Sequence, residues 1–271
     1  MRIGIIGGGA IARLVLEHME KGALGDASVV ALMGRSPQSR AKALAAEHGI
    51  AFAQDLETLV AAAPEVVVEA ASHQAVREYA EPLLSRGISV VVLSGGALCD
   101  DALRDQLERA AARHKALLYV PSGGIGGLDA LKAVCVAGAE EVSIAVTKPP
   151  RAWKGIAYVE RMGWDMDSLT EAKVLFEGTA REGVPHFPAN VNIAAVLSMA
   201  GIGFDRTRLR VVADPALKFN THFITIRGAT GRIDIKFESV PMPDNPKTAM
   251  LACFSALAAI RELGRSVRYG T

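Results

Sequence analysis

The stretch Arg2-Ile3-Gly4-Ile5-Ile6-Gly7-Gly8-Gly9-Ala10-Ile11-Ala12 decides the fold of this chain. Its first five residues form a short apolar run typical of a buried strand, and helical spacing of apolar residues begins directly after the three glycines. In the pattern Gly7-x-Gly9-x-x-Ala12, the first glycine permits a tight turn, the second lets the backbone approach a pyrophosphate, and the small third residue lets the helix pack on the strand. The free N–H groups and positive dipole end of the helix then face the phosphates. The stretch predicts a dinucleotide site made by Gly7, Gly9, Ala10, Ile11 and Ala12.

Outward from this turn, the chain up to residue 120 alternates between apolar strand-like runs and helical patterns. Runs at residues 2–6, 28–33, 50–53, 65–70, 88–93 and 116–120 predict six strands, and each connection is short. The run at 65–70 is apolar almost throughout, as in a strand that is buried on both faces of a parallel sheet. This alternation predicts an α/β fold, a doubly wound parallel sheet of the Rossmann type, over residues 1–120.

After Pro121 the pattern changes to alternating runs that are joined by short turns. Strands are expected at residues 142–148, 208–213, 221–227 and 232–240, and helices at 168–180 and 190–199. This combination predicts a second, α+β domain with a mainly antiparallel sheet over residues 121–244. Asn245-Pro246-Lys247-Thr248 predicts the start of a C-terminal helix, and we expect residues 245–271 to complete the first domain.

The composition favours a globular protein that acts on small molecules. A net charge of +1 and an aromatic content of 5% give no basis for expecting nucleic-acid or membrane partners. The uncharged stretch 187–204 contains proline, asparagine and glycine, so it predicts a buried helix and not a membrane span.

Cys99, Cys135 and Cys253 lie far apart without a Cys-x-x-Cys pair. Neither a disulfide framework nor a metal site is therefore expected, and a cytoplasmic location is favoured.

The end of the second predicted strand bears on the choice of cofactor. Proteins specific for NAD usually carry an acidic residue there, which binds the ribose 2′-hydroxyl. This chain has Leu32-Met33-Gly34-Arg35-Ser36 instead. Arg35 can pair with a 2′-phosphate, and Ser36 can donate from its hydroxyl. The sequence therefore favours NADP, or use of both NADP and NAD, and the alternative is that Arg35 is an ordinary surface residue.

Two histidines of the second domain are candidates for proton transfer, because imidazole titrates near neutral pH. His186 lies in a loop between two prolines, and His222 lies in a predicted strand. Position alone does not choose between them, since a histidine in a strand is more often a packed core or surface residue than a catalyst.

Several segments, taken in order along the chain, resemble the L-aspartate dehydrogenase family. They are Gly4-Ile5-Ile6-Gly7-Gly8-Gly9-Ala10-Ile11, Pro121-Ser122-Gly123-Gly124, Thr147-Lys148-Pro149-Pro150, Pro188-Ala189-Asn190-Val191-Asn192-Ile193-Ala194-Ala195, Ala213-Asp214-Pro215, Asn220-Thr221-His222 and Asn245-Pro246-Lys247-Thr248. By this resemblance His222 matches the catalytic histidine of the family, and Asn190 and Gly124 match its nicotinamide-nucleotide contacts. The family often has alanine where this chain has Gly124, but the backbone amide makes the contact there.

The resemblance implies a reversible, NAD(P)-dependent oxidative deamination of L-aspartate to iminosuccinate, which water converts to oxaloacetate and ammonia. It also implies a supply of iminosuccinate to NAD biosynthesis, although the direction of the reaction is left open. A dicarboxylate needs cationic or N–H partners, for which Lys148 is the first candidate, followed by Asn192, Thr221 and Ser122. A solvent-facing strand-end lysine is the alternative for Lys148. An exposed sheet face in the second domain would suit a homodimer.

Two other functions are compatible with the sequence. One is another two-domain Rossmann oxidoreductase, similar to dihydrodipicolinate reductase or to the sugar dehydrogenases. The sugar enzymes usually carry Glu-Lys-Pro where this chain has Leu93-Ser94-Gly95-Gly96. The other is a non-enzymatic NADP-binding sensor, which would need the glycine turn but neither His222 nor Asn190.

Overall fold

A computed structural model describes residues 1–188, 190–242, 245–267 and 269 of the chain. Its contacts divide the chain into two compact units. The first comprises Met1–Pro121 with the C-terminal segment from Cys253, and the second is built from Ser122–Ala252. None of the helices in this described part of the chain is both long and apolar enough to cross a membrane.

The first unit contains a six-stranded sheet in which every pairing is parallel. Its strands are β1 (Arg2–Ile6), β2 (Ser28–Met33), β3 (Ala51–Ala53), β4 (Val66–Glu69), β5 (Ser89–Val92) and β6 (Leu118–Tyr119). They lie in the order β3-β2-β1-β4-β5-β6, so the order reverses between β1 and β4. Ligands of such sheets bind at the carboxyl ends of the strands around this reversal. The predicted doubly wound α/β fold is confirmed.

Five helices connect these strands. They are α1 (Ala10–Glu20), α2 (Arg40–Glu47), α3 (Leu56–Ala61), α4 (His73–Leu84) and α5 (Asp101–His114). Side chains just before several of them accept hydrogen bonds from the first turn: Asp55 from the N–H of Thr58, and Asp100 from that of Leu103. Caps of this kind each stabilise a helix by about 1 kcal/mol, which explains where these helices begin.

The second unit contains a five-stranded sheet with helices between its strands. The strands are β7 (Ala139–Lys148), β8 (Lys173–Thr179), β9 (Arg208–Ala213), β10 (Asn220–Gly228) and β11 (Gly231–Ser239), in the order β11-β10-β7-β9-β8. The helices are α6 (Leu128–Ala137), α7 (Ala157–Arg161), α8 (Ala180–Gly183) and α9 (Asn192–Ala200). Only the β7–β9 pairing is parallel, so the expected mainly antiparallel sheet is confirmed for the described residues.

One expected helix of this unit is wrong. Residues 168–180 were expected to be helical, whereas β8 covers Lys173–Thr179 and pairs antiparallel with β9 at the edge of the sheet. The partner strand satisfies the backbone N–H and C=O groups of this segment, and tertiary pairing of this kind overrides a weak helical preference.

The C-terminal helix begins later than the sequence suggests. Asn245–Ala249 forms β13, which pairs with β12 (Pro241–Met242), and α10 (Met250–Leu263) starts after it. A helix beginning at Asn245 is therefore wrong, because the residue before a proline is driven out of the helical region. Leu257 and Ile260 of α10 belong to the same buried cluster as Ile3 of β1, so this helix completes the core of the first unit.

Candidate active site

The glycine turn after β1 has a different requirement at each position. Gly7 has φ +118°, and a Cβ there would lie 2.5 Å from the carbonyl oxygen of Ala70. At Gly8 a Cβ would lie 2.2 Å from the backbone nitrogen of Ala41, at the start of α2. Gly9 precedes α1, and nothing lies within 4 Å of the position of its Cβ. Gly7 and Gly8 are thus required by packing, whereas the space at Gly9 is open to a ligand.

A cavity of about 330 Å³ lies beside this turn at the carboxyl ends of β1, β2 and β4. Its lining includes Gly7, Gly8, Ala71, Ser72 and Tyr79, together with residues from the end of β2 to the start of α2. Of the predicted cofactor residues, Gly7 and Arg35 line the cavity. Gly9, Ala10, Ile11, Ala12 and Ser36 are not among its lining residues, and Ala12 is a buried residue of α1 itself.

Two arginines and a serine line the part of the cavity that follows β2. They are Arg35, Arg40 and Ser39, and none of the described residues that line the cavity is acidic. The buried hydroxyl of Ser39 has no hydrogen-bond partner among the described residues. Gly34 makes room for it, because a Cβ at Gly34 would lie 2.1 Å from this oxygen. The sequence reasoning missed Ser39 and Arg40. Both residues lie at the N-terminus of α2, and helix N-termini commonly bind phosphate groups. This position was the signal in the sequence that could have identified them.

A buried carboxylate, also missed, ties the ends of two strands together. Glu69 is the last residue of β4, and its carboxylate accepts hydrogen bonds from the N–H groups of Ala71 and Ser72, both at 2.8 Å. It also accepts bonds from the N–H and the hydroxyl of Ser94, which follows β5, both at 3.0 Å. Four donors offset the cost of burying the carboxylate. Glu69 thereby fixes the loop that carries two of the cavity's lining residues.

In the second unit, polar residues replace apolar ones at one end of the buried sheet face. Val142, Ile144, Val146 and Lys148 of β7 share this face, and all four are buried. Thr221 of β10 pairs with Thr147, so the antiparallel register places Asn220 opposite Lys148, and His222 is paired with Val146. Directly opposite residues of a pair point to the same face of the sheet. Lys148, Asn220 and His222 therefore lie close together there.

Lys148 is only 4% exposed, and the loop before α9 supplies its hydrogen-bond acceptors. Its Nζ donates to the backbone oxygen and to Oδ1 of Asn190, each at 3.2 Å. The same Nζ lies 5.4 Å from the ring centroid of Trp153, a fully buried side chain whose Nε1 donates to the backbone oxygen of Val212. Burial lowers the pKa of Lys148 from 10.5 to about 7. This amine can therefore be charged or neutral near physiological pH.

His222 is 2% exposed, and its Nδ1 has no hydrogen-bond partner among the described residues. Burial, and then the positive charge of Lys148, lower its pKa from 6.5 to about 3. The imidazole is therefore neutral at physiological pH, and its pKa is not the near-neutral value expected of a catalytic histidine. A Cβ built on Gly124 would lie 4.0 Å from Nε2 of His222 and 3.7 Å from Ile193, so this position would also accept the alanine common in the family.

The structure separates the two candidate histidines. His222 lies with Lys148 and Gly124, whereas His186 stacks on Tyr158 at a centroid distance of 4.4 Å within an aromatic cluster. Burial also lowers the pKa of His186.

The remaining substrate candidates differ in position. Asn192 is the half-buried first residue of α9, Ser122 is half-buried after Pro121, and strand alternation directs Thr221 to the face opposite His222.

The described residues contain no group of three or more His, Cys, Asp or Glu side chains that could hold a metal ion. The buried titratable side chains at this end of the sheet face are His222 and Lys148, and Asn190 accepts the hydrogen bond of the lysine.

Two family models match successive parts of this chain. Residues 129–263 match the family model "Aspartate dehydrogenase, C-terminal", and residues 7–121 match "Homoserine dehydrogenase, NAD binding domain". An L-aspartate dehydrogenase of Methanosarcina mazei is 41% identical over 100% of both chains. L-aspartate dehydrogenase 2 of Bordetella pertussis is 43% identical over 96% of each chain.

The crystal structure of aspartate dehydrogenase from Thermotoga maritima is similar over 100% of this chain and 99% of that one, with a TM-score of 0.76 and 28% identity. A biliverdin reductase from Synechocystis in complex with NADP+ shares the fold alone, with 15% identity and a TM-score of 0.52. The full-length identities of about 40% decide the classification. This chain is an NAD(P)-dependent oxidoreductase that belongs to the L-aspartate dehydrogenase family.

Proposed function

We propose that this protein catalyses the reversible reaction of L-aspartate, NAD(P)+ and water to oxaloacetate, ammonium, NAD(P)H and a proton, through iminosuccinate. The observation that carries the proposal is the buried cluster of Lys148, Asn190 and His222 at the end of one sheet face. A cation and a neutral imidazole side by side suit an anionic substrate from which a proton must be removed. The relatives at about 40% identity are named for the same activity.

In this proposal Lys148 binds a substrate carboxylate, and the neutral His222 accepts a proton from the substrate ammonium or from the attacking water. The two negative charges of the substrate raise the pKa of both groups on binding, because an opposite charge nearby favours their protonated forms. Lys148 is then held in its charged form and His222 becomes a stronger base. Asn190 orients the Lys148 amine through its two oxygens.

We further propose that the first unit binds the dinucleotide and that the second carries the substrate site. The cavity, the open space at Gly9 and the free N–H groups at the start of α1 fit a pyrophosphate and its ribose. A bound dinucleotide would supply the acceptor for the hydride of the aspartate Cα. Arg35 and Arg40, with no acidic residue beside them in the cavity lining, favour a cofactor with a 2′-phosphate, although NAD is also compatible.

The quaternary structure and location of the protein are also proposals. We infer a homodimer that forms through the outer face of the five-stranded sheet, where Phe223 is 42% exposed. Three free cysteines favour a reducing compartment, and we propose the cytoplasm. Supply of iminosuccinate to NAD biosynthesis is the metabolic role that the family suggests.

The decisive test is an assay of NADPH and NADH oxidation with oxaloacetate and ammonium. We expect turnover with this pair, and we expect His222→Ala to lower turnover by about 10²–10⁴-fold while cofactor affinity stays within about twofold, because general acid–base groups contribute this much. His186→Ala is the matched control and should keep most of the activity. Turnover with a different carbonyl substrate alone would overturn the assignment to aspartate, and NADPH binding without any turnover would indicate a sensor.

A further inference from the structure

We propose that Asn220 is a substrate-binding residue, which holds one carboxylate of the dicarboxylate together with Lys148. This inference rests on the proposed function and names a contact that the sequence comparison did not single out. It replaces Thr221 as the substrate-binding residue of the Asn220-Thr221-His222 segment, because Thr221 points to the other face of the sheet.

The first observation is an unpaired amide in a buried position. Asn220 is 2% exposed, and its Nδ2 has no hydrogen-bond partner among the described residues. Buried amide groups in folded proteins are almost always paired, since leaving one unpaired costs the free energy of its lost hydration. Asn190, by comparison, is also buried but uses its oxygen on Lys148. The amide of Asn220 therefore points to a ligand that accepts a hydrogen bond.

The second observation is the row of residues that contains Asn220. Ser239 of β11 pairs with Asn220, the register of β10 on β7 places Asn220 opposite Lys148, and Lys148 pairs with Ala213 of β9. Opposite residues of an antiparallel pair have Cβ atoms about 4.5–5.5 Å apart. This row contains no acidic residue. An amide N–H and an ammonium that face the same space form a set of donors for an anion.

The third observation is the position of this donor pair relative to the proposed base. His222 follows Asn220 by two residues, so both side chains lie on the same face of β10. A carboxylate held by Asn220 and Lys148 would thus lie beside the imidazole, whose Nδ1 is also without a partner among the described residues. Further along the same strand the face becomes apolar at Ile224 and Ile226, which limits the carboxylate position to this end.

The experiment compares Asn220→Ala and Asn220→Asp with the control Thr225→Val, which lies on the same strand but on its other face. Binding of succinate, an unreactive dicarboxylate, is measured by calorimetry in the presence of saturating NADPH. We expect its Kd to rise about tenfold or more in Asn220→Ala, as for loss of a charge-assisted hydrogen bond, and further in Asn220→Asp because like charges repel. The KM for oxaloacetate should rise in parallel, with kcat within about threefold and with the Kd for NADPH unchanged.

A succinate Kd and an oxaloacetate KM of Asn220→Ala within twofold of the wild type would overturn the inference. If Asn220→Ala does not fold by circular dichroism, Asn220→Ser is measured in the same way and judged by the same criterion. The inference and the proposed function fail separately. Wild-type protein that binds succinate through Asn220 without turning over oxaloacetate would refute the function alone, and turnover that is insensitive to Asn220 would refute this inference alone.

Discussion

At the scale of single residues, the lowered pKa of Lys148 makes substrate binding sensitive to pH. Its pKa of about 7 means that the free enzyme carries the lysine charge below pH 7 and loses it as the pH rises. We expect the KM for oxaloacetate to rise above pH 7, approaching tenfold for each pH unit. His222 does not titrate in this range, since its pKa is about 3.

The control for this prediction is Lys148→Arg, because a guanidinium stays charged throughout this range. The KM of this variant should depend little on pH between 6 and 9, even if its absolute value is higher. A wild-type KM that is constant between pH 6 and 9 would remove Lys148 from carboxylate binding.

The arginines after β2 lead to a second prediction at this scale. Arg35→Ala and Arg40→Ala should each raise the Kd for NADPH by about tenfold or more, because a charge-assisted contact with the 2′-phosphate is lost. The Kd for NADH should change by less than about threefold. Arg13→Ala is the matched control, since Arg13 is an exposed arginine of α1 that pairs with Glu47. Fluorescence titration measures all three variants, and equal losses for both nucleotides would contradict a 2′-phosphate site.

Several residues of the candidate site could be named from the sequence, and others could not. Lys148, Asn190 and His222 lie in segments that resemble one family, and the fold brings them together although they are far apart in the chain. Glu69 lies in none of these segments, and Asn220 lies in one of them without a role that the resemblance assigns to it. In the sequence each is an ordinary polar residue at the end of a strand. Its partners are identified only by its burial and by the strand register in the structure.

At the scale of the elements, the glycines of the turn between β1 and α1 have two different roles: Gly7 is required by packing, and Gly9 leaves space for a ligand. Gly9→Ala should leave the melting temperature nearly unchanged, because nothing lies within 4 Å of the new Cβ. We expect it to weaken NAD(P)H binding by about tenfold or more, since the methyl group would occupy the space that a pyrophosphate approaches. Thermal denaturation and fluorescence titration give the two readouts.

Gly7→Ala is the contrasting variant. Gly7 has φ +118°, and the new Cβ would meet the carbonyl oxygen of Ala70 at 2.5 Å, so this protein should be clearly less stable even without cofactor. Equal cofactor affinity in Gly9→Ala and wild type would show that the dinucleotide does not pass over Gly9.

Apolar periodicity was sufficient to predict the six parallel strands, since each is a short apolar run and the central ones are buried in the sheet. It was insufficient where pairing with a neighbouring strand decides the outcome. The segment that contains β8 has a mixed pattern and becomes a strand because β9 offers an open edge. The segment of β13 pairs with β12, although Asn245-Pro246 has the composition of a helix start.

At the scale of the whole molecule, the outer face of the five-stranded sheet leads to a prediction about assembly. Phe223 of β10 and Val174 of β8 are exposed on that face. If this face forms the homodimer, Phe223→Asp should convert it to a monomer of 28.5 kDa in analytical ultracentrifugation. Val136→Asp is the matched control, because Val136 is 93% exposed on α6 and should leave the mass unchanged. A wild-type monomer, or a dimer that tolerates Phe223→Asp, would exclude this interface.

The indole of Trp153 gives the protein an optical signal from the proposed substrate site. The chain has two tryptophans, Trp153 and Trp164, and only Trp153 has the amine of Lys148 against its ring, 5.4 Å from the centroid. A charge so close to a buried indole shifts the energy of its excited state. In a Trp164→Phe background, the emission spectrum of the intact protein would therefore follow the gain and loss of one proton on Lys148. Substrate arrival could then be timed in a stopped-flow fluorimeter without any added dye.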